Sequence, residues 1–165
     1  MAESERLTDP SSTFVVSDTT ALTTLLKTGL DWLLPELFGR VLIPGKVSEE
    51  LLAFHSALPE WGMVREAPGN DLLAELQADV DAGEAEAIAL AASENATILI
   101  DDKKARRHAE ALGLTCLGLP AVLVTARREG LIISLADAFA TLAAKGRYRV
   151  DAETAIMLLR SVGEE

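Results

Sequence analysis

The sequence of 165 residues contains little cysteine, few aromatic residues and no long apolar run. Its single cysteine, Cys116, excludes a disulfide framework and a zinc site built from several thiolates within one chain. Such sparing use of cysteine is typical of a reducing compartment. Only 4% of the residues are aromatic, so aliphatic side chains must build the core. The apolar runs are too short to cross a bilayer, and we expect no membrane association.

Basic residues are also scarce, with 15 against 26 acidic residues and a net charge of −11. This balance argues against a protein that coats nucleic acid by charge alone, because such binding requires Lys and Arg to neutralise phosphates. It remains compatible with an enzyme that holds phosphate through bound metal, and with a basic protein partner. The sequence also lacks a glycine-rich phosphate loop and a Gly-x-Ser-x-Gly elbow. P-loop and serine hydrolysis are therefore disfavoured.

The rest of the composition is that of a folded protein, with 49% hydrophobic and 25% charged residues. Residues 1–12 are polar and acidic and lack the apolar core of a signal peptide. We therefore expect a cytoplasmic protein in which residues 1–13 form a flexible tail. Residues 14–165 suit a single domain with one sizeable core.

Short apolar segments alternate with stretches of helical spacing along the whole chain. The expected strands are 14–16, 41–43, 97–100 and 114–117, with weaker candidates at 63–64 and 147–150. This alternation is typical of βαβ units. It predicts an α/β three-layer sandwich with a central, mainly parallel sheet of four to five strands flanked by helices. In such sheets, sites form beyond the carboxyl ends of the strands.

Acidic residues stand near strand ends or helix starts in four separate segments: Asp18, the pair Glu49 and Glu50, the pair Glu84 and Glu86, and the pair Asp101 and Asp102. Each has a simple structural explanation, since an aspartate caps helices and acids in a first helical turn suit the helix dipole. We expect that at most one of Glu49 and Glu50 faces a site, and that one of Asp101 and Asp102 is a helix cap.

The combination of these acids is more informative than any one of them. Carboxylates that are brought close together repel one another and raise each other's pKa, unless a cation lies among them. Hard oxygen ligands favour Mg²⁺ or Mn²⁺. Such an ion is used in metal-assisted cleavage of phosphodiesters. The sequence therefore predicts a divalent-metal pocket at the strand ends.

Four motifs, taken in order, resemble the PIN-domain family. They are Val16-Ser17-Asp18-Thr19-Thr20-Ala21-Leu22, Pro44-x-x-Val47-x-x-Glu50-Leu51, Gly83-Glu84-x-Glu86-Ala87-Ile88-x-Leu90-Ala91 and Leu99-Ile100-Asp101-Asp102-x-x-x-Arg106. The set is similar to a prokaryotic PIN-like branch long catalogued as a domain of unknown function. The resemblance runs from about Phe14 to Leu131, and we expect a helical tail after it.

The resemblance implies a ribonuclease dependent on Mg²⁺ or Mn²⁺, often the toxin of a toxin–antitoxin pair. By motif, the implied catalytic acids are Asp18, Glu50, Glu86 and one of Asp101 and Asp102. Asp18, Glu86 and the aspartate pair would be the metal ligands. Glu86 departs from the commoner toxin pattern, in which the third acid is an aspartate. An alternative is therefore a catalytically weak or inactive PIN-like module that acts through a protein partner.

The densest basic run follows the aspartate pair and is a candidate RNA contact, together with Thr19. It comprises Lys103, Lys104, Arg106, Arg107 and His108. The alternative for this run is a solvated helix face that pairs with nearby acids. A response-regulator-like domain is a further alternative, but the acids here are spread over four segments rather than gathered as a phosphorylation pocket.

Two partners are expected besides RNA. A small antitoxin is implied by the resemblance. A homodimer is expected because PIN relatives commonly dimerise, and because the apolar stretches 121–124 and 131–142 exceed what one small sheet must cover.

Overall fold

The computed structural model describes residues 14–165, and the tail expected for residues 1–13 lies outside this range. Its sheet contains β1 (Phe14–Ser17), β2 (Arg40–Pro44), β3 (Gly62–Arg65), β4 (Thr97–Leu99) and β5 (Cys116–Leu117). Their order is β3-β2-β1-β4-β5, and all neighbours pair in parallel. The predicted fold class is confirmed. Because β2 and β4 lie on opposite sides of β1, the strand order reverses there, which is where α/β sheets form their binding crevice.

Helices cover both faces of this sheet. They are α1 (Thr19–Thr28), α2 (Leu33–Phe38), α3 (Gly45–Leu52), α4 (Asp71–Gln77), α5 (Ala82–Glu94), α6 (Lys103–Ala111), α7 (Leu119–Arg128), α8 (Leu135–Lys145) and α9 (Ala152–Ser161). Among residues 14–165, none of the helices has the length and apolar character needed to cross a bilayer.

The alternation of side chains along each strand divides the core between the two faces of the sheet. Val16 and Ile98 point to one face, where Ile88 of α5 lies in the same cluster. Val15 and Leu99 point to the other face, which is covered by helices that include α1 and α7. Both clusters consist of aliphatic residues, as expected for a chain with so few aromatic ones.

A third apolar cluster lies among the helices and includes Leu33, Leu123, Leu135 and Leu142, which are fully buried. Leu158 and Leu159 of α9 pack against it. The apolar stretches 121–124 and 131–142 therefore pack largely against the chain's own helices. Their composition gives no separate reason to expect a second copy of the chain.

The weak strand candidate at 147–150 is wrong, because this segment forms an irregular turn after α8. Gly146 and Tyr148 both donate their backbone N–H to the Leu142 carbonyl, at 3.0 Å each. Arg147, between them, has a left-handed backbone with φ 54°. Hydrogen bonds that close the end of α8 thus replace the ladder of an edge strand.

Candidate active site

Asp18 lies where β1 passes into α1, at the carboxyl end of the central strand. Its backbone N–H donates to the Leu99 carbonyl at 3.2 Å, which joins the ends of β1 and β4. Its Oδ1 accepts from the Ala21 N–H at 2.9 Å and so caps α1. The residue is only 2% exposed. Burial raises the pKa of this carboxyl to about 7, and the charges of Asp101, Glu84 and Asp81 add to the shift.

Asp101 follows β4, the strand beside β1, and its carboxyl is held by two donors. The Tyr148 hydroxyl donates to its Oδ1 at 2.9 Å, and the Leu119 N–H donates to the same atom at 3.4 Å. Its Oδ2 is buried and has no hydrogen-bond partner among the described residues. Burial raises the pKa of Asp101, although these donors and the charge of Arg106 oppose the shift. An acid oxygen that is buried without a donor is suited to a cation.

Asp102 has a different local role from that of Asp101. Its Oδ2 accepts from the Ala105 N–H at 2.9 Å, so it caps α6, and the residue is exposed. The expectation that one aspartate of this pair is a helix cap matches this geometry.

The start of α5 brings two further acids to the same edge of the sheet. Asp81 and Glu84 form a reciprocal capping box, in which each side chain accepts from the other residue's N–H. Burial raises the pKa of Glu84 to about 7, and the charges of Asp81 and Asp102 contribute. Both acids line a cleft of about 100 Å³ together with Asp18, Thr19, Thr20 and Glu50.

Glu50 is the member of its pair that faces the cleft. The Thr19 hydroxyl donates to Glu50 Oε1 at 2.8 Å, whereas Glu49 is exposed. Gly83 permits this close approach, since a Cβ there would lie 2.5 Å from Glu50 Oε1 and 3.1 Å from Thr19 Oγ1.

Glu86 does not line the cleft and lies against a different element. Its Oε1 accepts from the Lys46 N–H at 2.9 Å, at the start of α3. Residues two apart on a helix point about 200° apart, so Glu84 and Glu86 cannot face the same side. Glu84 therefore lines the cleft, whereas Glu86, the acid that the motif names, does not. The spacing Asp81-x-x-Glu84, typical of a capping box, is the sequence signal that could have pointed to Glu84.

The donor set suits a hydrated hard cation rather than a closed cage. Within residues 14–165, no three His, Cys, Asp or Glu side chains stand close enough together to hold a metal ion by themselves. Mg²⁺ keeps several waters and needs only one or two protein carboxylates. Buried Asp18 and the unpaired Oδ2 of Asp101 can provide these, and the neighbouring acids can accept hydrogen bonds from waters.

The basic run on α6 is partly engaged in pairs with acids. Lys104 Nζ lies 2.8 Å from an oxygen of Asp79, and His108 contacts the other oxygen. Arg106 Nε lies 3.8 Å from Glu110. Lys103 and Arg107 are exposed. None of these side chains lines the acidic cleft. Much of the run therefore matches the alternative interpretation, a solvated helix face whose basic side chains pair with nearby acids.

Comparison with known proteins places this geometry in context. Residues 14–164 match the family model DUF3368, described as a PIN domain. Among curated proteins no match was found. The fold is similar to that of a PilT N-terminus domain protein from the archaeon Sulfolobus solfataricus P2, with a TM-score of 0.51 and 20% identity. That similarity covers 68% of this chain and 92% of the archaeal one, and at this identity it supports the fold alone.

Proposed function

Because the chain belongs to the DUF3368 family of PIN domains, whose fold is of the nuclease type, we propose that it is a divalent-metal-dependent ribonuclease. The observation that carries the proposal is the group of buried or half-buried carboxylates at the ends of β1 and β4. Burial and mutual repulsion raise the pKa of Asp18 and of Glu84 to about 7. A site that crowds acids in this way is suited to a cation and to the phosphate that the cation attracts.

In this proposal Asp18 and Asp101 are the ligands of Mg²⁺ or Mn²⁺, and Glu50 and Glu84 accept hydrogen bonds from surrounding waters. Glu84 replaces Glu86 of the motif among the acids of the proposed site, because Glu84 lines the cleft and Glu86 does not. When bound, the cation would offset the charge of the phosphate and lower the pKa of an attacking water.

The chain's own residues prepare this site before RNA arrives. Tyr148 and the Leu119 amide fix Asp101 through one oxygen and leave the other without a donor among the described residues. The Ala21 amide fixes Asp18 in the same way through its Oδ1. The Thr19 hydroxyl orients Glu50. Each carboxylate is thus held in one position, which reduces the reorganisation needed when charge develops.

The test is cleavage of an unstructured RNA with Mn²⁺ or Mg²⁺, compared between wild type and Asp18→Asn. We expect a loss of at least about a hundredfold in the variant, typical of removing charge at the reacting centre. Glu49→Gln is the matched control, since Glu49 is an exposed acid beside Glu50, and it should retain activity. Equal cleavage by wild type and Asp18→Asn would contradict the proposal. Mn²⁺ binding without cleavage by wild type would favour the inactive binding module.

The finer biological role follows from the family resemblance. We propose that the ribonuclease is the toxin of a toxin–antitoxin pair and that it acts as a homodimer. Expression should arrest growth, and co-expression of a small reading frame next to its gene should relieve the arrest. Arrest that persists in Asp18→Asn at equal protein level would argue against RNA cleavage as its cause.

A further inference from the structure

A groove of about 560 Å³ lies beside the acidic cleft and shares two lining residues with it. Thr19 and Thr20 line both spaces, so a ligand could extend from one into the other. The walls of the groove are one face of α1, the turn after α3 and the turn after α8. A volume of this size is in the range of sites for small ligands, and it suits one nucleotide.

The charge of the groove is opposite to that of the chain. Lys27, His55 and Arg147 line it, and none of its lining residues is acidic. Lys27 and Arg147 are exposed and form no salt bridge with the described residues. The chain as a whole has a net charge of −11, so a groove lined by Lys27 and Arg147 beside an acidic cleft differs in charge from the rest of the protein. The groove complements a phosphate-bearing ligand.

The groove also carries an aromatic ring at its rim. Phe54 lines it and is 84% exposed, although the chain has only four phenylalanines. An exposed ring next to cations and hydroxyl groups is the combination that binds single-stranded nucleic acids, because every base can stack on it. Thr20 and Thr23 add hydroxyl groups to the wall formed by α1.

The turn that bears Arg147 is held in place from both sides. A Cβ at Gly146 would lie 2.9 Å from Thr24 Cγ2 and 3.0 Å from Thr28 Cγ2, so this turn lies directly against α1. On the other side, the Tyr148 hydroxyl donates to Asp101. Arg147 itself has φ 54°, a conformation that costs free energy and that is concentrated at functional sites. The turn therefore links the groove to the proposed metal ligand.

We propose that this groove binds the unpaired nucleotide next to the phosphate that is cut. The base stacks on Phe54, and the adjoining phosphate accepts hydrogen bonds from Lys27 and Arg147. The proposal rests on the proposed ribonuclease function for its ligand class. It assigns RNA contact to the face formed by α1 and the turn after α8, rather than to the basic run on α6.

The experiment measures binding of a fluorescein-labelled, unstructured ten-nucleotide RNA by anisotropy, in low salt with Ca²⁺ to limit cleavage. Phe54→Ala should weaken binding about 5- to 100-fold, the range for loss of one stacked base, whereas Phe54→Tyr should retain it. Arg147→Gly removes the cation and suits the left-handed backbone, so it should weaken binding and reduce the salt dependence without unfolding the chain. Ile133→Ala and Arg128→Ala are the matched exposed controls and should bind as wild type does.

The outcomes separate this proposal from the ribonuclease proposal. RNA binding that depends on Phe54 and Arg147 supports the groove, even if wild type cuts nothing with Mn²⁺. Cleavage by wild type that is unaffected by both groove variants overturns the groove and leaves the ribonuclease intact. Loss of binding in Lys103→Ala and Arg107→Ala, but not in the groove variants, also overturns it. So does a failure of wild type to bind this RNA.

Discussion

At the scale of single residues, Asp18 combines a structural role with a proposed chemical one. Its Oδ1 caps α1, a role that an asparagine would also fill. Its charge, however, is buried next to other acids, and this disfavours ionisation in the folded state. The two roles can therefore be separated by a substitution that keeps the cap and removes the charge.

We predict that Asp18→Asn stabilises the metal-free protein, by more at pH 8 than at pH 5. The pKa of Asp18 rises from 3.8 to about 7 on folding, so the folded state binds more protons than the unfolded state between these values. Stability then falls as the pH rises through this window. The gain at pH 8 should be about 4 kcal/mol, because the shift of about 3 pKa units is worth roughly 1.4 kcal/mol per unit. Urea unfolding in EDTA at both pH values measures it.

Added Mn²⁺ provides the control for this prediction. The cation should stabilise wild type at pH 8 and should have little effect on Asp18→Asn, because the ligand charge is gone. A variant that is less stable than wild type in EDTA at pH 8 would contradict the electrostatic explanation.

The sequence indicated which residues lie at the edge of the sheet more reliably than it indicated which face of a helix a side chain occupies. Asp18, Glu50 and the aspartate pair were predictable because strand ends and helix starts can be recognised from apolar runs. The motif named Glu86 rather than Glu84, because a linear motif carries no information about the directions in which the two side chains point from the helix. Tyr148 could not be predicted, because its contact with Asp101 joins residues 47 positions apart.

At the scale of elements, apolar runs were sufficient to identify the central strands. The runs at 14–16, 41–43 and 97–100 predicted β1, β2 and β4 to within one or two residues. The segment 147–150 has similar β propensity, but the hydrogen bonds that close α8 decide its structure. Strand order could not be predicted from the sequence either, because it depends on which face of the sheet each connecting helix covers.

At the junction of α5 with α3, we predict that Gly83→Ala lowers cleavage about tenfold while the fold is retained. The new Cβ would meet Glu50 Oε1, the end of a flexible side chain, so Glu50 should move away from Thr19. Alanine also favours the helix, so stability should not fall. Cleavage kinetics and thermal melting test this together. Gly69→Ala, where a Cβ has nothing within 4 Å, is the matched control.

The start of α8 is tied to the end of the chain by one acid. Glu164 Oε2 accepts from the Leu135 N–H at 2.7 Å and from Arg127 Nε at 2.9 Å, and its Oε1 accepts from the Ala136 N–H at 3.0 Å. These donors hold the pKa of Glu164 below its usual value. The contribution of Glu164 to stability is thus present above its unfolded pKa and is lost as the pH falls through its folded pKa.

We therefore predict that Glu164→Gln lowers the melting temperature at pH 7 and lowers it less in acid, below the folded pKa of Glu164. The reason is that acid protonates the wild-type residue and removes the same charge. Calorimetry at pH 7 and in acid is the measurement. Glu165→Gln changes a neighbouring charge and should have no such effect. A difference between Glu164→Gln and wild type that does not change with pH would rule out this electrostatic contribution.

At the scale of the whole molecule, α9 presents side chains that the chain itself does not cover. Ile156 and Met157 on this helix are 51% and 61% exposed, and none of its residues is fully buried. These apolar residues provide a surface for the predicted homodimer. We therefore predict that a dimer would form through α9 rather than through the stretches at 121–124 and 131–142, which lie largely inside the chain.

Light scattering at micromolar concentration should give about twice the chain mass of 17.6 kDa. Met157→Lys should reduce the mass to that of one chain, because a charge in an apolar interface is costly to bury. Phe54→Lys introduces the same charge at an exposed apolar position away from α9 and should leave the dimer intact. A wild-type mass of one chain would contradict the prediction.

The pairing of β1 with β4 has a consequence for the order in which the protein is made. Asp101 and the tyrosine that holds it are added to the growing chain 83 and 130 residues after Asp18. At roughly 5–20 residues per second, the second interval lasts about 6 to 26 s. β1 cannot pair with β4 until β4 has been synthesised. Until then, the acids of the nascent chain are not held close together. We therefore predict that the nascent chain cannot cut RNA, under the proposed ribonuclease function, until Tyr148 has been added and β4 has paired with β1.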